Sequence, residues 1–168
     1  MAKIKLVGFI DEDMASRVIG ELLDLKKGTH DIYIASIGGA SWFGNAIIDV
    51  ICQLKDKGFK FNTYALGVCA SSAIPIFLTG KLRLISDSCY MVAHGYKLSY
   101  EMEPDWMIKA DLDYTYELDE ILYSRLLKPT KLDYKTFKAN IDEKKEWLIT
   151  PKEAIKLKIA TGYIGKKK

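Results

Sequence analysis

Apolar positions change their spacing along this chain, and the changes divide it into elements. Lys3 to Ile10 reads as a strand, and Asp11 then caps a helix whose Met14, Val18, Leu22 and Leu25 fall on one face. Asp31 to Ser36 predicts a second strand, with Ile32 and Ile34 alternating with Tyr33 and Ala35. Gly38-Gly39 turns the chain, and Ser41 to Lys57 predicts a second helix carrying Ile47, Val50, Ile51 and Leu54. Lys60 to Leu66 is the third strand; Gly67 to Ala70 leads into a short helix that starts near Ser71 and closes before Gly80. Leu82–Ile85 and Tyr90–Ala93 are two more strands, the last delivering His94. A strand–helix unit recurring about every 30 residues is the pattern of parallel crossover connections.

After His94 the character changes. Pro104 to Leu127 predicts one long helix, with proline tolerated at its start and a stripe of Ile108, Leu112, Tyr116, Ile121, Leu122 and Leu126. That is longer than a small domain needs to cover its own sheet. A helix follows over about Asp133–Glu143, and Thr150-Pro151-Lys152-Glu153 is a capping box opening a helix to about Ile159, with Gly162 ending the segment. Nothing divides the chain into separate units, so one domain over 1–168 is expected.

Composition narrows the classes. The chain has 168 residues, 49% hydrophobic and 28% charged, enough for a real core. Its formal net charge is +3, but Lys166-Lys167-Lys168 supplies three of those charges, so the body is neutral and lacks the basic footprint of a nucleic-acid binder. Met1 to Ile10 carries no secretory apolar core and no apolar run approaches membrane-spanning length, so neither a leader nor a membrane span is expected. Cys52, Cys69 and Cys89 are odd in number and form no C-x-x-C pair, which suits a reduced, cytoplasmic compartment and small buried thiols. Two distant histidines and scattered cysteines have no metal-ligand spacing, and no phosphate-binding glycine loop occurs, so neither metal nor cofactor is expected.

The candidate chemistry lies in Gly67-Val68-Cys69-Ala70-Ser71-Ser72-Ala73, with His94 downstream and Gly38-Gly39 upstream. A serine at a strand-to-helix corner, a histidine within reach and backbone N–H donors are the parts of an acyl-transfer site. Each part has a plainer reading. Ser71 and Ser72 would cap a helix, His94 would be a satisfied strand-end residue, and Gly38-Gly39 would serve only a turn. Cys69, two residues from Ser71, is an alternative nucleophile. His30 sits in a Lys-Gly-Thr-His-Asp turn and reads as a solvated loop residue.

Three stretches together resemble the proteolytic subunit of the Clp protease, within the wider ClpP/crotonase-like superfamily. Asp31-Ile32-Tyr33-Ile34-Ala35-Ser36-Ile37-Gly38-Gly39 is similar to that family's D-I-x-x-x-I-N-S-P-G-G stretch. Gly67 to Ala73 resembles its G-x-A-A-S-M-G corner, and Tyr90-Met91-Val92-Ala93-His94 its M-I-H segment. A later, fourth stretch, Trp147 to Ala154, is similar to its F-L-S-A-x-E-A stretch. The likeness runs from about Lys5 to Ile164. It implies an α/β fold of stacked strand–helix (β-β-α) units with a protruding handle helix. The core would span about 3–95 and 147–164 and the handle about 96–146. It also implies a serine endopeptidase acting on peptides or unfolded proteins inside a chamber of stacked heptameric rings, working with a Clp-type ATPase. Ser71 would be the nucleophile, His94 the base, and the N–H groups of Gly39 and Ser72 the oxyanion hole.

The sequence departs from the family at three places. Lys145 stands where the family has its triad Asp; Asp142, Glu143 or Asn140 would have to substitute, or the site is a dyad. Little precedes Lys3, so the axial-gate segment is expected to be missing, which bears on ATPase docking. Ile37 replaces a proline, and Ser72 and Ala73 replace Met and Gly. Lys145 supports a second expectation, a catalytically weak or inactive ring subunit that assembles with an active host ClpP. A crotonase-type acyl-CoA enzyme is a third, but it has no need of Ser71 beside His94.

Overall fold

A computed structural model describes residues 1–95 and 105–165. The elements in order are β1 (Lys3–Ile10), α1 (Glu12–Leu23), β2 (Thr29–Gly39), α2 (Ser41–Asp56), β3 (Lys60–Ala70), α3 (Ala73–Leu78), β4 (Leu82–Ile85) and β5 (Tyr90–His94). The second part adds α4 (Asp105–Leu126), α5 (Tyr134–Lys144), β6 (Glu146–Ile149), α6 (Pro151–Lys156) and β7 (Gly162–Tyr163). β1, β2 and β3 run parallel, joined by the crossover helices that the recurring strand–helix pattern requires. Their inward residues Ile4, Leu6, Ile32, Ile34, Phe61 and Ala65 are almost completely buried, as strands covered by helices must be.

The long strand β3 changes partners partway along. Asn62–Ala65 pair with β4, whereas Val68–Ala70 pair with β5. Between them the register against β2 shifts: Ile34 faces Ala65, but Ser36 faces Cys69. β3 therefore carries extra residues around Gly67, whose φ is +60°, a value that glycine adopts without the Cβ penalty. The bulge re-aims the last residues of β3 toward β5. β6 then pairs antiparallel with β5, setting Glu146 opposite His94.

Several expectations change. β2 does not end at Ser36 but continues through Gly38 and Gly39, which pair with Phe9 and Ile10 of β1. The turn falls at Ala40, whose N–H donates to the Ile10 carbonyl at 2.9 Å. A Cβ on Gly39 would overlap the Ile10 backbone, so this glycine allows strand proximity rather than a turn. Likewise Gly67–Ala70 is strand, not a lead-in loop. His30 is not solvated: it is 5% exposed on β2, stacks on Phe59 and accepts the Ala2 N–H at Nδ1 (3.2 Å). Its Nε2–H donates to the Lys26 carbonyl at 2.9 Å.

In the later part, α6 stops at Lys156 rather than near Ile159, because Lys158 takes the left-handed conformation (φ +57°). Its capping box is half formed. The Thr150 hydroxyl accepts the Glu153 N–H, but the Glu153 carboxylate accepts from Trp147 Nε1 at 3.2 Å instead of reaching back. β6 and β7, of four and two residues, are too short for a periodic signal.

The stripe on α4 divides. Leu126 is buried, and Leu122 and Tyr123 pack against the core, while Ile121 faces outward with Tyr114 and Leu118, at i, i+4 and i+7. Ile121, read above as part of the same stripe as Leu122 and Leu126, is 66% exposed. Pro104, the side chain of Ile108 and the lysine tail lie outside the described residues. No helix among the described residues is long and apolar enough to cross a membrane.

Candidate active site

Ser71 occupies the corner between β3 and α3 with φ +54°, a left-handed conformation that costs a side-chain-bearing residue about 1–2 kcal/mol. Three contacts hold it there. Its N–H donates to the Val92 carbonyl of β5 at 2.8 Å. Gly38 presses on it from β2, where an added Cβ would lie 2.6 Å from the Ser71 Cβ and 2.8 Å from the Ala70 oxygen. Gly44 of α2 packs under Ser72, where an added Cβ would come to 3.3 Å of the Ser72 Cβ. Glycine at 38 also suits a φ of +91°.

The capping explanation for the serine pair does not hold. Ser72 is the residue at the cap position of α3, yet its side chain makes no cap hydrogen bond. Instead its hydroxyl donates to the Gly39 carbonyl at 3.1 Å, tying the corner to the end of β2. Ser36, fully buried, accepts the Gly38 N–H at 3.0 Å and fixes the preceding peptide. Two hydroxyls thus orient the Gly38-Gly39 backbone, and Ser71 takes no part in either bond. The Ser72 N–H has no backbone partner among the described residues.

His94 ends β5, next to the strand segment that delivers Ser71. Its Nδ1–H donates to the Gly95 carbonyl at 2.6 Å, which leaves Nε2 as the lone-pair nitrogen. Ser71, Ser72, Gly39 and His94 all line one cavity of about 750 Å3. The four residues singled out in the sequence are therefore brought to a single site.

The acid position is different. Lys145 follows α5 with φ +62°, its N–H donates to the Ile141 carbonyl, and it does not line the cavity. Of the three substitutes, Asp142 alone lines it, and its carboxylate accepts from Lys138 Nζ at 2.7 Å. Asn140 donates its side-chain amide to the Thr136 carbonyl, and Glu143 is exposed. The histidine is oriented by main chain, at Gly95, rather than by any of these side chains. Cys69 is fully buried, and burial, then the neighbouring Cys89, pushes its thiol well up. A buried neutral thiol is not a nucleophile.

Two residues of the site had no signal in the sequence. Gly95 contributes only a carbonyl. Asp119 reaches the cavity from α4, one carboxylate within a run of acidic and aromatic residues. Its charge is felt there: burial first, then Asp119, push the Tyr123 phenol well up and the Tyr134 phenol to about 12. Tyr116, Leu122, Phe137 and Ile141 give the cavity an aromatic and aliphatic wall, beside the polar Ser41, Asn45 and Lys138.

A hydroxyl at a strained strand–helix corner, sharing one cavity with an imidazole and with Gly39 and Ser72, has the components from which an acyl-transfer site can be built. Comparison with known proteins agrees with the architecture. The profile of the Clp protease family matches residues 1–165. The structure superposes on a mutant ClpP1 from Listeria monocytogenes with a TM-score of 0.80 at 20% identity, covering 98% of this chain and 92% of that one. Among curated proteins none matches. The chain belongs to the Clp protease family and has the ClpP fold.

Two glycines separate space from conformation. Gly67→Ala meets no atom within 4 Å and is expected to cost only the left-handed strain, about 1 kcal/mol. Gly38→Ala adds a clash with the Ser71 corner and is expected to cost about 3 kcal/mol or more. Urea unfolding of the two variants checks this; equal losses would mean that the corner yields freely.

Proposed function

We propose that the chain is a serine endopeptidase that cleaves peptides or unfolded proteins, with Ser71 as nucleophile and His94 as base. The observation that supports this most is the held, left-handed Ser71, whose hydroxyl is not used as a cap and which shares its cavity with His94. His94 Nε2 takes the Ser71 proton as Oγ attacks the peptide carbonyl carbon. The N–H groups of Gly39 and Ser72 hold the oxyanion of the tetrahedral intermediate. The intermediate collapses with His94 protonating the departing amine, which leaves an ester on Ser71. Water, deprotonated by His94, then attacks that ester, and Ser71 is regenerated as the acid product leaves.

The Gly95 carbonyl does part of the work of a triad acid. It fixes the imidazole tautomer and orientation, but it offers a dipole instead of a full negative charge to the imidazolium. In a well-studied triad, replacing the carboxylate lowers kcat by roughly 10⁴-fold. The enzyme is therefore expected to be slow. That expectation sustains the second reading, a subunit with little activity of its own that joins an active ClpP, favoured by Lys145 lying away from the cavity.

The same reading gives the outward face of α4 a purpose. Tyr114, Leu118 and Ile121 are large, exposed and aligned on a helix within the proposed handle, about 96–146. We assign that face to contacts between copies in a ring-shaped oligomer, substrate proteins being cut within and a Clp-type ATPase acting as the unfoldase partner.

Two measurements check the two parts of the reading. Ser71→Ala is expected to remove peptide hydrolysis without changing assembly; hydrolysis that survives in that variant rejects Ser71 as nucleophile. Leu118→Glu combined with Ile121→Glu is expected to lower the assembly mass in analytical ultracentrifugation while the monomer stays folded. Leu122 and Leu126 are unsuitable for this test because they pack within their own chain. An unchanged mass rejects the α4 face as an interface.

A further inference from the structure

A second cavity, of about 440 Å3, opens where α2, α3 and α4 come to their C-terminal ends. It shares no lining residue with the Ser71 cavity. Its charged lining is all of one sign: Lys55, Lys60, Lys81, Arg83 and Arg125, with no Asp or Glu. Arg83 is buried, and the other four are exposed around it. Among the described residues none of the five takes part in an ion pair. Cations near helix ends have an ordinary use as partners of the last carbonyls. Lys55 and Arg83 serve in that way. Lys55 Nζ donates to the Thr79 carbonyl at 2.8 Å, and Arg83 donates to the carbonyls of Gly80, Lys158 and Ile159. That use leaves most of the charge unanswered. A helix C-terminus carries about half an elementary negative charge, so three of them do not balance five full cations. Lys60, Lys81 and Arg125 donate no side-chain hydrogen bond among the described residues. Lys55 keeps two N–H donors unspent, and Arg83 keeps two.

We propose that this cavity binds a compact multivalent phosphate, a di- or triphosphate chain that is either free or carried on a nucleoside. Like charges held around one space repel, and an anion between them turns that repulsion into attraction. Five cations around so small a space call for several negative charges in a small volume, which a phosphate chain carries and a single carboxylate does not. A nucleic-acid backbone would need an open basic track along the surface, whereas this site is concave and the body of the chain is neutral. Phe59, Leu78 and Leu126 add an apolar wall beside the cations, against which a nucleoside could rest. Arg125 belongs to the last turn of α4, while Lys55, Lys60 and Lys81 belong to the sheet and the helices covering it. A bound phosphate chain therefore ties the base of α4 to the core. This site does not depend on the serine-endopeptidase reading.

Isothermal titration calorimetry of the full chain with inorganic tripolyphosphate, at an ionic strength held constant with sodium chloride, tests the site. The wild type is expected to bind one tripolyphosphate per chain. Lys60→Gln, Lys81→Gln and Arg125→Gln combined are expected to weaken binding about tenfold or more, the scale of lost charge-assisted hydrogen bonds. Lys26→Gln, Lys135→Gln and Lys152→Gln combined, at exposed lysines outside the cavity, are expected to leave it unchanged. Cys52 reads the location independently, because it lines the cavity and is partly exposed while Cys69 and Cys89 are buried. Its alkylation by neutral iodoacetamide is expected to slow about tenfold when tripolyphosphate stands at ten times its Kd. ATP titrated in the same way separates the two sources: binding tighter than tripolyphosphate assigns a nucleoside-borne chain, and weaker binding a free one. No binding by the wild type, equal losses in the two triple variants, Cys52 alkylation unchanged at saturation, or citrate binding as tightly as tripolyphosphate overturns the proposal.

Discussion

The contact between Gly38 and the Ser71 corner is the constraint on which the rest of the site depends. The two backbones approach so closely that no Cβ fits between them. Around that contact, three neighbouring polar groups hold the same arrangement. Ser36 takes the Gly38 N–H, Ser72 donates to the Gly39 carbonyl, and Val92 accepts the Ser71 N–H. A left-handed serine persists only where its surroundings over-determine it, and these do. The bulge at Gly67 is what lets β3 reach this point: it transfers the strand from β4 to β5 and so brings the corner next to His94.

The histidine side of the site is built more lightly. A main-chain carbonyl one residue away orients the ring, and no side chain has to travel from another element to do so. Local geometry thus leaves Nε2 as the lone-pair nitrogen, whereas Lys145, which the sequence resemblance sets at the acid's position, does not line the cavity. What a carbonyl does not supply is net charge opposite a developing imidazolium, and electrostatic preorganisation is commonly the largest contribution to catalysis of this kind. A competent but slow enzyme and a mainly structural subunit are therefore close neighbours in the physics of this site, separated by the activation of one hydroxyl.

Much of this was legible in the sequence because the signals were local. Asp11 caps α1 through the Met14 N–H, as its position before Met14, Val18 and Leu22 suggested, and Asp133 caps α5 in the same manner. Ser71, Ser72, His94 and Gly39 come together as the order of their motifs implied. What the sequence hid was non-local. Whether Gly38-Gly39 turns the chain or lies in a strand depends on β1 lying against it. His30 looks like a loop residue until Phe59 and Phe61 close over it. The apolar positions of α4 gave a single stripe on paper, but among its described residues the core takes Leu122, Tyr123 and Leu126 and leaves Ile121 outside. Asp119 and the Gly95 carbonyl had no pattern to announce them, since one is an acid among acids and the other is main chain.

The most direct measurement is intact-mass spectrometry of the assembled protein after exposure to a serine-reactive β-lactone, with Ser71→Ala alongside. The account requires a single stoichiometric adduct on the wild type that disappears in the variant, because only an activated Ser71 opens the lactone. A folded wild-type protein that takes no adduct, or one whose adduct survives the substitution, would contradict it.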